Sequence, residues 1–262
     1  MARKLIVNAD DFGFTRDVNL GILEAHRDGI LTATTLMATG AAFDDAIQIA
    51  REYPSLDVGC HLVLVQGPGF PASVPQLIRA VAAKRIQPYE EFVKQIRRIL
   101  DAGISPTHLD THKHTHLLPP VLDAIARVSE EFKISWIRRP FDFPRQPGSI
   151  GVARRLVSGS LSVVRGRFAR VLAKHHCKST DHFAGFKLTG NYDARDLASL
   201  IRRLPEGSTE FMCHPGRCTA ELRGAQTRLK ESREAELRAL ISPEVRAALT
   251  GARVELTSYR QL

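Results

Sequence analysis

Residues 107 to 116 read THLDTHKHTH, so four of the chain's ten histidines fall between His108 and His116, around a single carboxylate, Asp110. Imidazoles and carboxylates are the side chains that hold divalent ions and pass protons near neutral pH. On an extended strand, alternation puts His108, Asp110, His112, His114 and His116 on one face and Thr107, Leu109 and Thr111 on the other. At about 3.3 Å per residue the outermost two lie roughly 26 Å apart, so all of them cannot hold one ion. One or two can, with the remaining ligands arriving from elsewhere in the chain.

Three other segments offer matching parts. Asp10 and Asp11 in NADDFG close an apolar run; His61 interrupts the apolar VGCHLVL; His214 precedes Pro-Gly in CHPG. Each has an ordinary explanation alone. Aspartates cap helices and turns, and an isolated histidine in an apolar strand is usually a satisfied core residue. Taken together they are complementary. One carboxylate and two imidazoles make a three-ligand set that leaves room for water and substrate. The spare carboxylate can accept a proton, a histidine on another strand can donate one, and Asp110 can orient a ligand histidine.

The elements that must position these residues alternate in type. Predicted strands cover 4–9, 32–39, 57–64, 106–112, 133–139, 182–188, 209–214 and 253–259, and helical patterns cover 18–28, 43–52, 89–102, 119–132, 193–204 and 230–241. Such alternation predicts a parallel sheet, and seven or eight units favour an α/β barrel of mostly parallel strands in a single domain spanning 1–262. Barrel chemistry collects at the carboxyl ends of the strands. Asp10-Asp11, His61, His112 and His214 all fall at such ends.

Composition narrows the setting. With 44% hydrophobic residues, 262 residues bury a full core, and no apolar run is long enough for a membrane span. MARKLIVNADDFG reaches its acidic pair too early for a signal peptide, which predicts a cytoplasmic protein. Cys60, Cys177, Cys213 and Cys218 show no CxxC spacing and read as free packing thiols. Of 37 basic and 28 acidic residues, ten basic and one acidic fall between Arg138 and Lys178; the remaining 27 of each sign cancel. The net charge of +9 therefore belongs to one segment.

NADDFG, GCHLVL, THLDTHKHTH and EFMCHPG, in this order, resemble the YdjC-like carbohydrate deacetylases, a family that includes chitooligosaccharide and hopanoid-biosynthesis-associated deacetylases. The resemblance extends through TRLKESREAELRALISPEVRAAL to the closing SYRQL, nearly the whole chain. It implies an irregular barrel related to polysaccharide deacetylases, with one divalent ion, zinc or magnesium. Carried over by position, Asp11, His61 and His112 are implied as metal ligands, Asp10 as catalytic base and His214 as general acid. The implied reaction removes an N-acetyl group from an amino sugar, soluble or lipid-linked, and His114 and His116 are expected at the rim or on the sugar. Lys113 departs from the family pattern, which carries a histidine there in chitooligosaccharide deacetylases. Asp and His ligands also suit a phosphoesterase, but the chain has no Gly-rich phosphate cradle. A catalytically silent sugar-binding relative would not need Asp10 intact beside intact ligands.

The basic segment, about 140–178, fits the barrel pattern poorly. After the proline-rich PFDFPRQPG, Val157, Leu161, Val164, Phe168 and Val171 recur at helical spacing, with Arg155, Arg167, Arg170 and Lys174 mostly off that stripe. It reads either as a helix packed on the barrel with a solvated basic face, or as a surface that touches anionic membrane or covers a lipid-linked sugar. Little aromatic interleaving and no binding motif argue against nucleic acid. The pattern leaves homo-oligomer formation open.

Overall fold

β1 (Arg3–Phe12) is buried from Leu5 onward, as expected of a strand covered on both faces in a parallel sheet. The computed structural model describes residues 2–143 and 152–262, and of 152–162 the backbone alone. After β1 come α1 (Arg16–Arg27), β2 (Ala33–Leu36), α2 (Phe43–Glu52), β3 (Asp57–Leu62), α3 (Val74–Ala82) and α4 (Pro88–Asp101). Next are β4 (His108–Thr111), a 3-10 turn over His112–Leu117, α5 (Pro119–Phe132), β5 (Trp136–Ile137) and α6 (Val152–Lys174). The chain closes with β6 (His182–Ala184), α7 (Ala194–Arg202), β7 (Gly207–Cys213), α8 (Ala220–Gly224), α9 (Glu231–Leu240), α10 (Pro243–Ala252) and β8 (Val254–Leu256).

The strands run β5-β4-β3-β2-β1-β7-β6, and β8 pairs with the first residues of β1. Every strand pairing is parallel. The free edges curl together, joined by parallel bridges between Trp136 and Lys178 and between Asp142 and Phe183. The result is the expected irregular α/β barrel. All eight sequence-predicted strands are present, shorter at most ends. α3, α8 and α10 escape the sequence pattern because each is ten residues or shorter and carries few turns of periodicity.

Alternation along β1 sorts its side chains. Leu5, Val7 and Ala9 join the large cluster between sheet and helices, whereas Ile6 joins a small cluster with Ala33 and Tyr259. Asn8 and Asp10 share the Ile6 face, so the barrel interior is polar above a thin apolar floor. The predicted strand over 106–112 is corrected. It stops at Thr111, and Lys113 and His114 adopt left-handed φ values of 57° and 50°. The five residues from His108 to His116 therefore do not share one face, because the chain leaves the sheet halfway through them.

The basic stretch forms helix α6 in the crossover from β5 to β6. Phe168 and Leu172 are buried against the core, Arg167, Arg170 and Lys174 are exposed, and Val164, expected on the apolar stripe, is 37% exposed. Residues 144–151 of the proline-rich turn and the side chains of Arg155, Val157 and Leu161 lie outside the described residues. Among the described residues no helix is long and apolar enough to cross a membrane. All four cysteines are free.

Helix α1 seats against the loop that follows His214 through paired glycines. A Cβ on Gly21 would stand 2.3 Å from the Cα of Gly216. Alanine is intrinsically better than glycine in a helix by about 1 kcal/mol, but here it meets backbone that cannot rotate away. Gly21→Ala is expected to destabilise the protein by about 2 kcal/mol in urea unfolding; a variant as stable as the parent would contradict this packing.

Candidate functional site

Asp10 and Asp11 are neighbours on a strand, so regular alternation would aim them to opposite faces. The β1–β2 register shifts between Ala9 and Phe12, and Asp11 takes a left-handed φ of 69°. This bulge turns both carboxylates into one pocket, and aspartate is among the few non-glycine residues that tolerate such a backbone. The pocket encloses about 390 Å³ at the carboxyl ends of the strands and takes in Asp10, Asp11, His61, His112, His114 and His214.

Three ligand atoms converge there. Asp11 Oδ1 lies 3.4 Å from His61 Nε2 and 3.3 Å from His112 Nδ1, and the two nitrogens are 3.2 Å apart. Ligands about 2.0–2.1 Å from a shared tetrahedral ion stand roughly 3.3 Å from each other. Asp11 Oδ1 is buried with no hydrogen-bond partner among the described residues, the condition of an oxygen that awaits a cation. Its other oxygen, Oδ2, accepts from Arg233 Nη2 at 2.5 Å, leaving only Oδ1 for an ion. The donor set thus fits a divalent metal. A second grouping, Asp10, His61 and Asp110, is also close enough, but Arg138 already occupies both of its carboxylates, and Asp110 also holds His61.

Asp110 does orient a histidine, and it is His61, not its chain neighbour His112. Asp110 Oδ1 accepts from His61 Nδ1 at 2.7 Å, which turns Nε2 toward Asp11 and His112. Burial opposes protonation of His61, but Asp110, Asp11 and Asp10 together raise its pKa to about 10. For Asp11, burial works upward, yet Arg233 and the two histidines hold it well below the usual carboxylate range.

Arg138, which sequence reasoning passed over, sits at the centre. It is 1% exposed and contacts three carboxylates: Asp10 at 2.8 and 2.6 Å, Asp110 at 2.5 Å and Glu210 at 2.8 Å. Burial would raise the pKa of Asp10, but Arg138, then His61 and His214, hold it far below the ordinary range. Asp10 is thus ionised and fixed, with Oδ2 facing His214 Nε2 at 3.8 Å. Burial pushes the pKa of His214 below that of free imidazole, against the pull of Asp10 and Glu236. Its backbone N–H donates to Glu236 Oε2 at 2.6 Å, so α9 supplies both Arg233 and the group that fixes the loop of His214.

Other histidines of the run are structural. His108 is buried, bonds Asn8 Oδ1 through Nε2 at 3.0 Å and stacks on Tyr259. His116 is also buried, against the expectation of a rim or sugar contact. Its Nδ1 accepts from the Thr111 hydroxyl at 2.6 Å and its Nε2 donates to the Arg138 carbonyl at 3.1 Å. Burial lowers the pKa of each to about 4, keeping both neutral. His114 lines the pocket. The missed residues left signals. Glu210 shares strand parity with His214, and Arg233 and Glu236 stand with Leu237 and Leu240 at helix-face spacing, charged residues on a stripe that should be apolar.

An ion can occupy the triangle only when His61 Nε2 gives up its proton. Metal binding is therefore expected to release about one proton per ion at neutral pH, and apparent affinity should rise about tenfold per pH unit until roughly the pKa of His61. Calorimetry in buffers of different ionisation enthalpy reads this directly, and proton-neutral binding would exclude it. Asp110→Asn should weaken metal affinity by about 10–100-fold.

A sequence profile described as YdjC-like protein matches residues 4–251. A carbohydrate deacetylase of Brevibacillus brevis is 30% identical over 274 aligned residues, covering 99% of this chain and 99% of the relative. A chitooligosaccharide deacetylase of Klebsiella pneumoniae is 33% identical, with 100% of each covered. Among solved structures, one from Enterococcus faecalis, provisionally named a cellobiose-phosphate cleavage protein, superimposes with a TM-score of 0.76 at 25% identity, over 99% of this chain and 98% of that one. The strand order, the convergent Asp and His residues and a match along nearly the whole sequence lead to one conclusion: this chain belongs to the YdjC-like protein family.

Proposed function

We propose that the chain is a metal-dependent hydrolase that removes the N-acetyl group of an amino sugar and releases acetate. The observation that carries this is the triangle of Asp11, His61 and His112 beside an ionised, arginine-held Asp10 in an open pocket. The full-length relatives named as carbohydrate and chitooligosaccharide deacetylases support the same chemistry.

Asp11, His61 and His112 would hold the ion. Once bound, a divalent cation supplies polarisation of the acetamide carbonyl and acidifies water. Separations of 3.2–3.4 Å suit a tetrahedral zinc site better than octahedral magnesium, whose adjacent ligands stand about 2.9 Å apart. Asp10 accepts the proton of the attacking water. Its bidentate grip by Arg138 fixes the carboxylate while leaving lone pairs free. His214, neutral at rest, takes that proton from Asp10 across the 3.8 Å gap and delivers it to the departing amine, which otherwise leaves poorly.

The substrate we favour is an N-acetylglucosamine unit in a soluble chitooligosaccharide or a lipid-linked glycan. The solvated basic face of α6 supports peripheral contact with anionic membrane, and the free cysteines support a cytoplasmic setting. Lys113, Arg228 and Arg233 line the pocket and favour the alternative of a phosphoesterase.

Acetate and phosphate release should be measured in parallel from chitooligosaccharides, lipid-linked N-acetylglucosamine and sugar phosphates, with and without chelator. The expected result is chelator-sensitive acetate alone, with metal analysis returning zinc. Phosphate without acetate would replace the proposal with the alternative. Asp10→Asn and His214→Ala should each lower kcat by about 10²–10⁴-fold with bound metal retained; His112→Ala should lose the metal itself.

A further inference from the structure

A second cavity lies where α6 leans on the chain leaving β5. It encloses about 510 Å³, within the range of small-molecule sites, and shares no lining residue with the pocket around Asp11. Phe141, Phe168, Ala169 and Leu172 form its apolar wall, Arg139 and Arg165 its polar part, and no Asp or Glu lines it.

The two guanidiniums are unusually under-satisfied. Arg139 donates from Nη1 to the backbone carbonyl of Asp181 at 2.7 Å, a neutral partner. Arg165 lies over the Phe141 ring at 5.2 Å, and its Nε is buried with no hydrogen-bond partner among the described residues. Burial, and then the charge of Arg165, draw the pKa of Arg139 below that usual for arginine, against a smaller pull from the Asp181 carboxylate, which lies outside the cavity lining. Two like charges that share an apolar-walled cavity with no carboxylate in its lining are only partly compensated, from outside it, by Asp181. An anion between them would supply the rest, and guanidinium pairs hold phosphate and carboxylate oxygens well.

We propose that this cavity binds an amphipathic anion, its phosphate or carboxylate head between Arg139 and Arg165 and its hydrocarbon chain along Phe141, Phe168 and Leu172. The site does not depend on the reaction proposed above. Its ligand is either a free amphiphile or the headgroup region of a membrane lipid, since both present this chemistry.

Calorimetry of the full chain with hexyl phosphate and with inorganic phosphate tests the site, alongside sedimentation with phosphatidylcholine vesicles with and without phosphatidylglycerol. Hexyl phosphate should bind saturably at one per chain and more tightly than inorganic phosphate, which gains nothing from the apolar wall. Arg165→Ala should weaken it by about tenfold or more, the loss expected for one charge-assisted contact. Ala169→Trp, which fills the cavity from an exposed helix position and keeps both arginines, should do the same, with metal content unchanged in each variant. Parallel loss of hexyl phosphate and phosphatidylglycerol binding identifies a lipid headgroup; hexyl phosphate binding without vesicle binding identifies a soluble amphiphile. No saturable binding by the parent protein, or equal binding by both variants, overturns the proposal.

Discussion

A guanidinium sealed inside the barrel organises the whole polar interior. Arg138 touches Asp10, Asp110 and Glu210, and those carboxylates come from β1, β4 and β7, three separate strands. Removing one member of such a buried set leaves the others uncompensated at a cost of about 3–5 kcal/mol. The network is therefore a constraint as much as a bond. It fixes Asp10 on one side and, through Asp110, fixes the ring of His61 on the other. His116 adds a tether on the Arg138 carbonyl, so even the histidines that never reach the pocket serve it.

The bulge at Asp10-Asp11 solves a separate problem. A strand cannot present two consecutive side chains to one face without breaking its own alternation. The left-handed backbone at Asp11 makes that break, and Arg233 then occupies one oxygen of the turned carboxylate. The two neighbouring aspartates acquire different work from their different cations. Asp10 is gripped through both oxygens by Arg138 and stays ionised. Asp11 keeps one bare oxygen beside two imidazole nitrogens.

The positive charge of the chain is divided in a related way. Around Asp10 and Asp11 both buried arginines are held by carboxylates, Arg138 by three and Arg233 by one. On the α6 side, Arg139 and Arg165 face an apolar wall with no carboxylate in the cavity lining. Among the described side chains beyond Arg138, basic charge lies on an exposed helix face, at Arg167, Arg170 and Lys174, and on this partly enclosed pair.

Local chemistry carried much of this into the sequence. The strand–helix alternation, the helices at Phe43–Glu52 and Pro119–Phe132, and the arrival of Asp10, Asp11, His61, His112 and His214 at strand ends are all legible, because periodicity and parity act over a few residues. What stayed hidden depended on contacts between residues far apart in the chain. Arg138 looks like one more basic residue until three strands bring their carboxylates to it, and α9 looks like a surface helix until its Arg233 and Glu236 meet β1 and the loop after β7. The histidine run shows the division most plainly. Residue type and spacing announced a site, but only the turn after Thr111 decided that His112 faces Asp11 and His61 while His108 and His116 brace the core, because burial and partner are properties of the packed chain and not of the segment.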